Sequence, residues 1–204
     1  TSELGFKTSK GAHVVTALDF DGDGDLDLYV GYYGSDASNR QNYQGRNLPS
    51  MDGRNGTPHQ LFKRGADGKY TDVAKQAGVD DTGWTLAVSS FDANNDGRPD
   101  MFLANDFGED VLYLNKGDGT FDNVAHATGT DDRGSGMNVS FADVNGDGWL
   151  DLYVSNIDMY SKNIKVIYPT DKVTLPNFDE SLAKSFQYLS GNKLFINPGD
   201  KDLK

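Results

Sequence analysis

Apolar and polar positions along this chain alternate in short bursts, with no long helical stripe. Mid-sequence, "TLAVSSFD" (85–92), "MFLAN" (101–105), "VLYLN" (111–115) and "TFDNVA" (120–125) are compact β-type runs. Polar stretches rich in Gly, Asp and Asn separate them, which is the pattern of four short strands joined by tight turns. The layout recurs on both sides. Gly5, Gly78 and Gly129 each stand fourteen residues before an aspartate that opens an acidic stretch, at Asp19, Asp92 and Asp143. Leu61 and Leu112 are 51 residues apart, as are Asp67 and Asp118, and a third relative, "LFINPGDKDL", starts at Leu194.

A period near fifty residues with four strands per unit predicts β-propeller blades. The expected fold is all-β: four-stranded antiparallel blades, three of them, forming a segment of a larger propeller. Residues 1–10 are read as the end of a preceding blade, its fourth-strand tail. Residues 11–80 form a blade with an insertion at 34–57, and 81–130 a blade without one. Residues 131–204 form a blade with an insertion at 161–191, lacking its last strand. Both insertions interrupt the link between second and third strands, so both are expected on one face. In the second, Leu182, Phe186 and Leu189 recur at helical spacing and Gly191 would end a short helix. The apolar run at 164–169 is expected to cover a neighbouring blade or meet a partner.

The acidic stretches carry the candidate chemistry. "DFDGDGDLD", "DANNDGRPD" and "DVNGDGWLD" all fit D-x-[DN]-x-D-G-x-x-D. Such crowded carboxylates repel one another unless a cation holds them, and alternating oxygen ligands with Gly at position six suit Ca²⁺. Positions one, three, five and nine supply side-chain oxygens and position seven a carbonyl. Loop one offers Asp19, Asp21, Asp23 and Asp27, with the Asp25 carbonyl. Loop two offers Asp92, Asn94, Asp96 and Asp100, with the Arg98 carbonyl. Loop three offers Asp143, Asn145, Asp147 and Asp151, with the Trp149 carbonyl. An EF-hand needs a Glu at position twelve between helices, whereas Val30, Leu103 and Val154 stand there in β-type runs. A single polar turn would explain one such stretch; three copies favour about three Ca²⁺ sites per chain. Mg²⁺ suits such a many-oxygen cage less well. Loop one, with four ligand aspartates, is expected to bind tightest.

Composition narrows the partners. The formal charge of −12 over 204 residues opposes nucleic acid and anionic membranes, while 36% hydrophobic residues are enough for a folded core. No apolar window of about 18 residues exists to span a bilayer, the first ten residues hold no signal-peptide core, and cysteine is absent. His13 and His126 read as exposed loop or strand-end positions, His59 as a turn. No nucleophile elbow, P-loop or HExxH pattern occurs, so catalysis is not expected. Tyr32, Tyr33 and Tyr43, with Arg40, Arg46, Asn39 and Asn42, form either a protein or glycan contact surface or, for the first two, strand-end packing. Asn55 and Asn138 match the glycosylation pattern weakly.

"FDGDGDLDLYV", "FADVNGDGWLDLYVSN" and "LYLNKGDGTFDNVAHATG" resemble FG-GAP/VCBS repeats, the calcium-loop blades also found in integrin α-subunit propellers, and most of all their cartilage-acidic-protein-like branch. The resemblance implies a calcium-stabilised propeller, secreted, periplasmic or on the cell surface, used for binding and not for chemistry. The expected partner is a protein or the remaining blades. A glycan-binding propeller and a structural subunit of a larger complex are the alternatives.

Overall fold

The computed structural model of the chain describes residues 2–9, 11–34, 49–50, 52–157 and 192–199. The apolar runs form strands. β1 (Ala12–Leu18), β2 (Asp27–Tyr32), β3 (Gln60–Arg64) and β4 (Tyr70–Asp72) pair antiparallel in chain order as one sheet. β5 (Thr85–Phe91), β6 (Asp100–Asn105), β7 (Val111–Asn115) and β8 (Phe121–Asn123) repeat it. β9 (Gly136–Ala142), β10 (Asp151–Asn156) and β11 (Lys193–Phe195) form a third sheet of the same order. The pairs Leu18–Asp27, Phe91–Asp100 and Ala142–Asp151 close the three first hairpins in identical register, directly around the acidic loops.

Packing between sheets explains the near-continuous apolar character of β6, in which every residue is buried. A sheet covered on both faces needs apolar side chains at both parities. Met101 and Leu103 cluster with Tyr29 and Leu61 of the first sheet, whereas Phe102 and Ala104 cluster with Leu152 and Val154 of the third. The leading strands are neighbours, β1 against β5 and β5 against β9. This is the arrangement of propeller blades, and the three do not close into a ring.

The structure departs from the sequence reading in several places. The expected fourth strand "TFDNVA" stops at Asn123, and the chain turns into the one-turn helix α2 (Ala125–Thr128), as it does at α1 (Ala74–Ala77) in the first unit. The cause is local: Asp72 and Asn123 Oδ1 each accept the N–H two residues on, at 3.1 Å, and left-handed Gly78 and Gly129 end the turns. Ser2–Leu4 is likewise a 3-10 turn and no strand tail; Phe6 behind it lies on Phe62 and Tyr70, ring centroids 4.9 and 4.3 Å apart.

Tyr32 is fully buried, and Tyr33 packs edge-on against Trp84 while donating to Asp106 Oδ2 at 2.6 Å. Both are packing residues, not contact surface. Asn55 is buried, accepting from the Trp84 indole N–H at 2.9 Å and the Ser50 N–H at 2.8 Å, so it is no accessible glycan acceptor. The returning limb of the first insertion is pressed so closely onto the second sheet that a Cβ on Gly53 would sit 2.2 Å from the Phe107 carbonyl oxygen. His59 is no exposed turn: it is 1% exposed, 3.0 Å from the Tyr29 hydroxyl and 3.2 Å from the Thr85 hydroxyl, bridging the first two sheets. His13 lies within exposed β1 and His126 on α2. The 161–191 insertion with its expected helix, the run at 164–169, and Tyr43, Arg40, Arg46, Asn39 and Asn42 lie outside the described residues.

Candidate metal centre

Each acidic stretch links the first two strands of its sheet, so its conformation is set by a hairpin that must turn within eight residues. The opening aspartate folds the loop around itself. Asp19 accepts the Asp23 and Gly24 N–H groups at 3.1 and 3.0 Å, and Asp92 those of Asp96 and Gly97 at 3.0 and 2.8 Å. Asp143 does the same toward Asp147 and Gly148 at 3.1 and 2.8 Å. At position three, Asn94 and Asn145 accept from the position-five N–H. At position five, Asp23, Asp96 and Asp147 each accept the position-seven N–H at 2.9 Å. These turns direct the position-seven side chains of Asp25, Arg98 and Trp149 outward. Asp25 pairs with Arg64, Arg98 reaches Asp96 and the Asn115 carbonyl, and Trp149 lies beside Gly199.

Position six is left-handed in all three loops, with Gly24, Gly97 and Gly148 at φ 87°, 83° and 88°. Position four is left-handed too, occupied by Gly22, Asn95 and Gly146, residues that tolerate that conformation. Sequence reasoning overlooked this second constraint, although only Gly and Asn stand there.

Position nine differs most from the simple ligand picture. Asp27, Asp100 and Asp151 are almost without solvent exposure. Each holds two backbone N–H groups, one from position two of its own loop and one from the end of the third strand. For Asp27 these are Phe20 at 3.3 Å and Arg64 at 2.8 Å; for Asp100, Ala93 and Asn115, both at 2.8 Å. For Asp151 they are Val144 at 3.0 Å and Asn197 at 2.8 Å. These aspartates therefore staple three strands together as well as facing the loop. The third-strand residues Arg64, Asn115 and Asn197 were not recognised in the sequence, although the Asn closing "LYLN" and "LFIN" repeats visibly.

Electrostatics separates the positions. Burial pushes the Asp27 carboxyl above its usual range against two backbone N–H bonds, and pushes Asp100 up to about 7. Exposed Asp143 is held below the usual range, first by the Gly148 N–H. Among the described residues, no Lys or Arg forms an ion pair with Asp27, Asp100 or Asp151. Oxygens of Asp19, Asp21 and Asp27 all lie within 4.8 Å of one another, and Asp21 Oδ1 is buried without a hydrogen-bond partner. Asp21 Oδ2 meets Lys63, whose ammonium also lies 3.7 Å from Asp23. An orphaned buried carboxylate oxygen amid hard oxygen donors fits a hard divalent cation. Loop one gathers its carboxylates into such a trio; in loops two and three, position three is an amide.

Comparison with known proteins agrees with this geometry. Residues 92–154 match the family profile described as FG-GAP-like repeat, and residues 11–46 that of FG-GAP repeat. The chain is similar to cartilage acidic protein 1 of Xenopus tropicalis, 43% identical over 63 residues, which are 30% of this chain and 10% of that protein. It is 37% identical over 86 residues to the Homo sapiens protein of that name, covering 42% of this chain and 13% of that one. The matched stretches thus span about a tenth of those relatives' length.

Proposed function

We propose that this chain, two stretches of which match FG-GAP repeat profiles, is a non-enzymatic, calcium-binding run of propeller blades that mediates protein–protein binding outside the cytoplasm. The observation that carries the cation part is the buried, unpartnered Asp21 Oδ1 beside Asp19 and Asp27. A bound Ca²⁺ supplies positive charge where the loop aspartates repel. The chain's own residues do the rest: positions one to five curl the loop, and position nine fastens it to two further strands. Occupancy follows mass action, about 2.7 kcal/mol per site at a hundredfold excess of free ion over the dissociation constant. Sites of the extracellular class bind with constants of about 10⁻⁴ to 10⁻³ M, which suits a protein working in calcium-rich surroundings.

The binding role is supported by the third sheet. Its outward face shows Tyr153, Leu194 and Ile196, all about half exposed. The equivalent Phe102 and Leu112 of the second sheet, and Tyr29 and Leu61 of the first, are buried under the next sheet. Such a face is built to be covered by protein, a further blade or an assembly partner. No helix among the described residues is long and apolar enough to cross a membrane. The test is calorimetric titration with calcium, paired with thermal unfolding in chelator. About three bound ions and a melting temperature lowered by chelation are expected; an unchanged melting temperature would refute the proposal.

A further inference from the structure

We propose that an asparagine repeated at the end of the third strand couples the cation loops of neighbouring blades, so that filling one loop strengthens binding at the next. This inference rests on the reading of the loops as cation sites. Asn115 uses every group it has at the junction. Its N–H donates to Asp100 Oδ1, its Nδ2 donates to the Phe20 carbonyl at 2.7 Å and the Pro99 carbonyl at 3.2 Å, and its Oδ1 accepts the Gly117 N–H at 2.9 Å. Asn197 repeats the set one blade on. Its N–H goes to Asp151 Oδ1, its Nδ2 to the Ala93 carbonyl at 2.9 Å and the Leu150 carbonyl at 3.3 Å, and its Oδ1 accepts from Gly199 at 3.1 Å.

Phe20 and Ala93 are not arbitrary acceptors. Each is position two of the preceding loop, between its first two ligand positions, and each gives its own N–H to that loop's position-nine carboxylate. An unbroken run of contacts results. Asp27 holds Phe20, Phe20 accepts from Asn115, and Asn115 donates to Asp100. Asp100 holds Ala93, Ala93 accepts from Asn197, and Asn197 donates to Asp151. Every position-nine carboxylate is a node of this run. A cation that orders one loop therefore fixes the acceptor for the next blade's asparagine, and with it the N–H that positions the next carboxylate. The ordering is done once and shared, which is positive coupling.

The first blade lacks this link on its own loop. Arg64 keeps the backbone bond to Asp27 but turns its guanidinium to Asp25. Loops two and three have a second tie, Asn95 Nδ2 to the Gly148 carbonyl at 3.0 Å; Gly22 at that position in loop one offers none. The asparagines are positioning residues, since they reach carbonyls and carboxylates and not the cation.

Trp149 at position seven makes loop three readable alone. Terbium, a calcium-sized ion, luminesces when a neighbouring indole is excited, and Trp84 lies at the far end of β5, about 20 Å from its loop by strand length. Terbium titration of the whole chain is compared for the unaltered protein, for Asp96→Ala, and for both in an Asn95→Gly/Asn197→Ala background. Asp96 is exposed and Gly already occupies the Asn95 position in the other loops, so these two changes spare the fold; Asn197→Ala removes the side-chain bonds and keeps the backbone N–H to Asp151, and a melt of the background protein checks that it stays folded. Crippling loop two with Asp96→Ala is expected to weaken loop three about fivefold or more, and to do nothing once both ties are removed. Unchanged loop-three affinity in Asp96→Ala, or the same weakening in both backgrounds, overturns the coupling while leaving the cation sites intact. Absence of sensitised emission from the unaltered protein would overturn the cation reading itself.

Discussion

Replacing Asp100 by Asn separates the stapling of strands by position nine from the cation contact proposed for it. Asp100 has no solvent exposure and holds the Ala93 and Asn115 N–H groups at 2.8 Å each. Burial, aided by the charges of Asp96 and Asp92, raises its carboxyl from 3.8 to about 7. A group so raised favours the fold fully only below the unfolded value. The benefit is lost as pH climbs through the folded one, so above pH about 7 the ionised group costs about 4 kcal/mol. Asn avoids that cost but sets its own NH₂ against one backbone N–H, an orphaned donor costing about 1–3 kcal/mol. In chelator near pH 8 the Asp100→Asn protein should therefore be the more stable by about 1–3 kcal/mol, or roughly 2–4 °C of melting temperature per kcal/mol. In calcium the order should reverse, because the carboxylate's charge is then compensated and the amide is a poorer ligand. Circular-dichroism melts in the two media check this. A variant destabilised equally in both would show that Asp100 only staples.

Burial lowers the His59 imidazole below its usual 6.5, partly opposed by the Asp81 charge. The unfolded chain then takes up a proton that the fold resists, and stability should fall as pH drops through that value. His59→Gln should flatten that part of the profile in urea melts at several pH values, and an unaltered slope would refute the assignment. Gly148→Ala puts a side chain at φ 88° into open space, so only backbone strain of about 1–2 kcal/mol is expected; a loss above about 4 kcal/mol would mean that the loop is more constrained than its geometry implies. Phe102→Ala should cost about 3–5 kcal/mol in denaturant unfolding, whereas Tyr153→Ala, its counterpart on the outward face of the third sheet, should cost under about 1 kcal/mol. Equal losses would show that the third sheet is covered in solution.

The repeat, the strand order and the loop residues were legible because each depends on local chemistry that recurs with the period. Asp at positions one and nine, Gly at six and the apolar runs are visible in any single unit. What escaped notice depends on packing between units. His59 stands in register with Asp110 and Asn192, and nothing in "GTPHQLF" reveals that its ring is enclosed by Tyr29 and Thr85 from two different sheets. Asn55 carries a glycosylation pattern, but its amide is engaged by Trp84, 29 residues away. Asn115 read as the last residue of a strand because its partner, Phe20, lies 95 residues back.

The two ends of each blade junction obey different rules. At the loop end the chemistry is the same twice over: carboxylate, asparagine, position-two carbonyl, carboxylate. At the opposite end the same register holds a neutral His59 near Asp81 in the first junction and the buried Asp110 near Asp132 in the second, its carboxyl pushed well up by burial. Asn105 and Asn156 give their N–H groups to Asp110 and Asn192 there, at 2.7 and 2.9 Å, so the backbone need is constant while the side chain meeting it changes. The returning limb of the first insertion also packs at this end, where Arg54 pairs with Asp81 and lies 3.9 Å from Glu109, which in turn pairs with Arg133. Repetition at one end fits a device shared by both junctions to hold neighbouring blades together. Variation at the other end fits a surface that differs from blade to blade, the kind of surface on which the proposed protein-binding role would distinguish one partner from another.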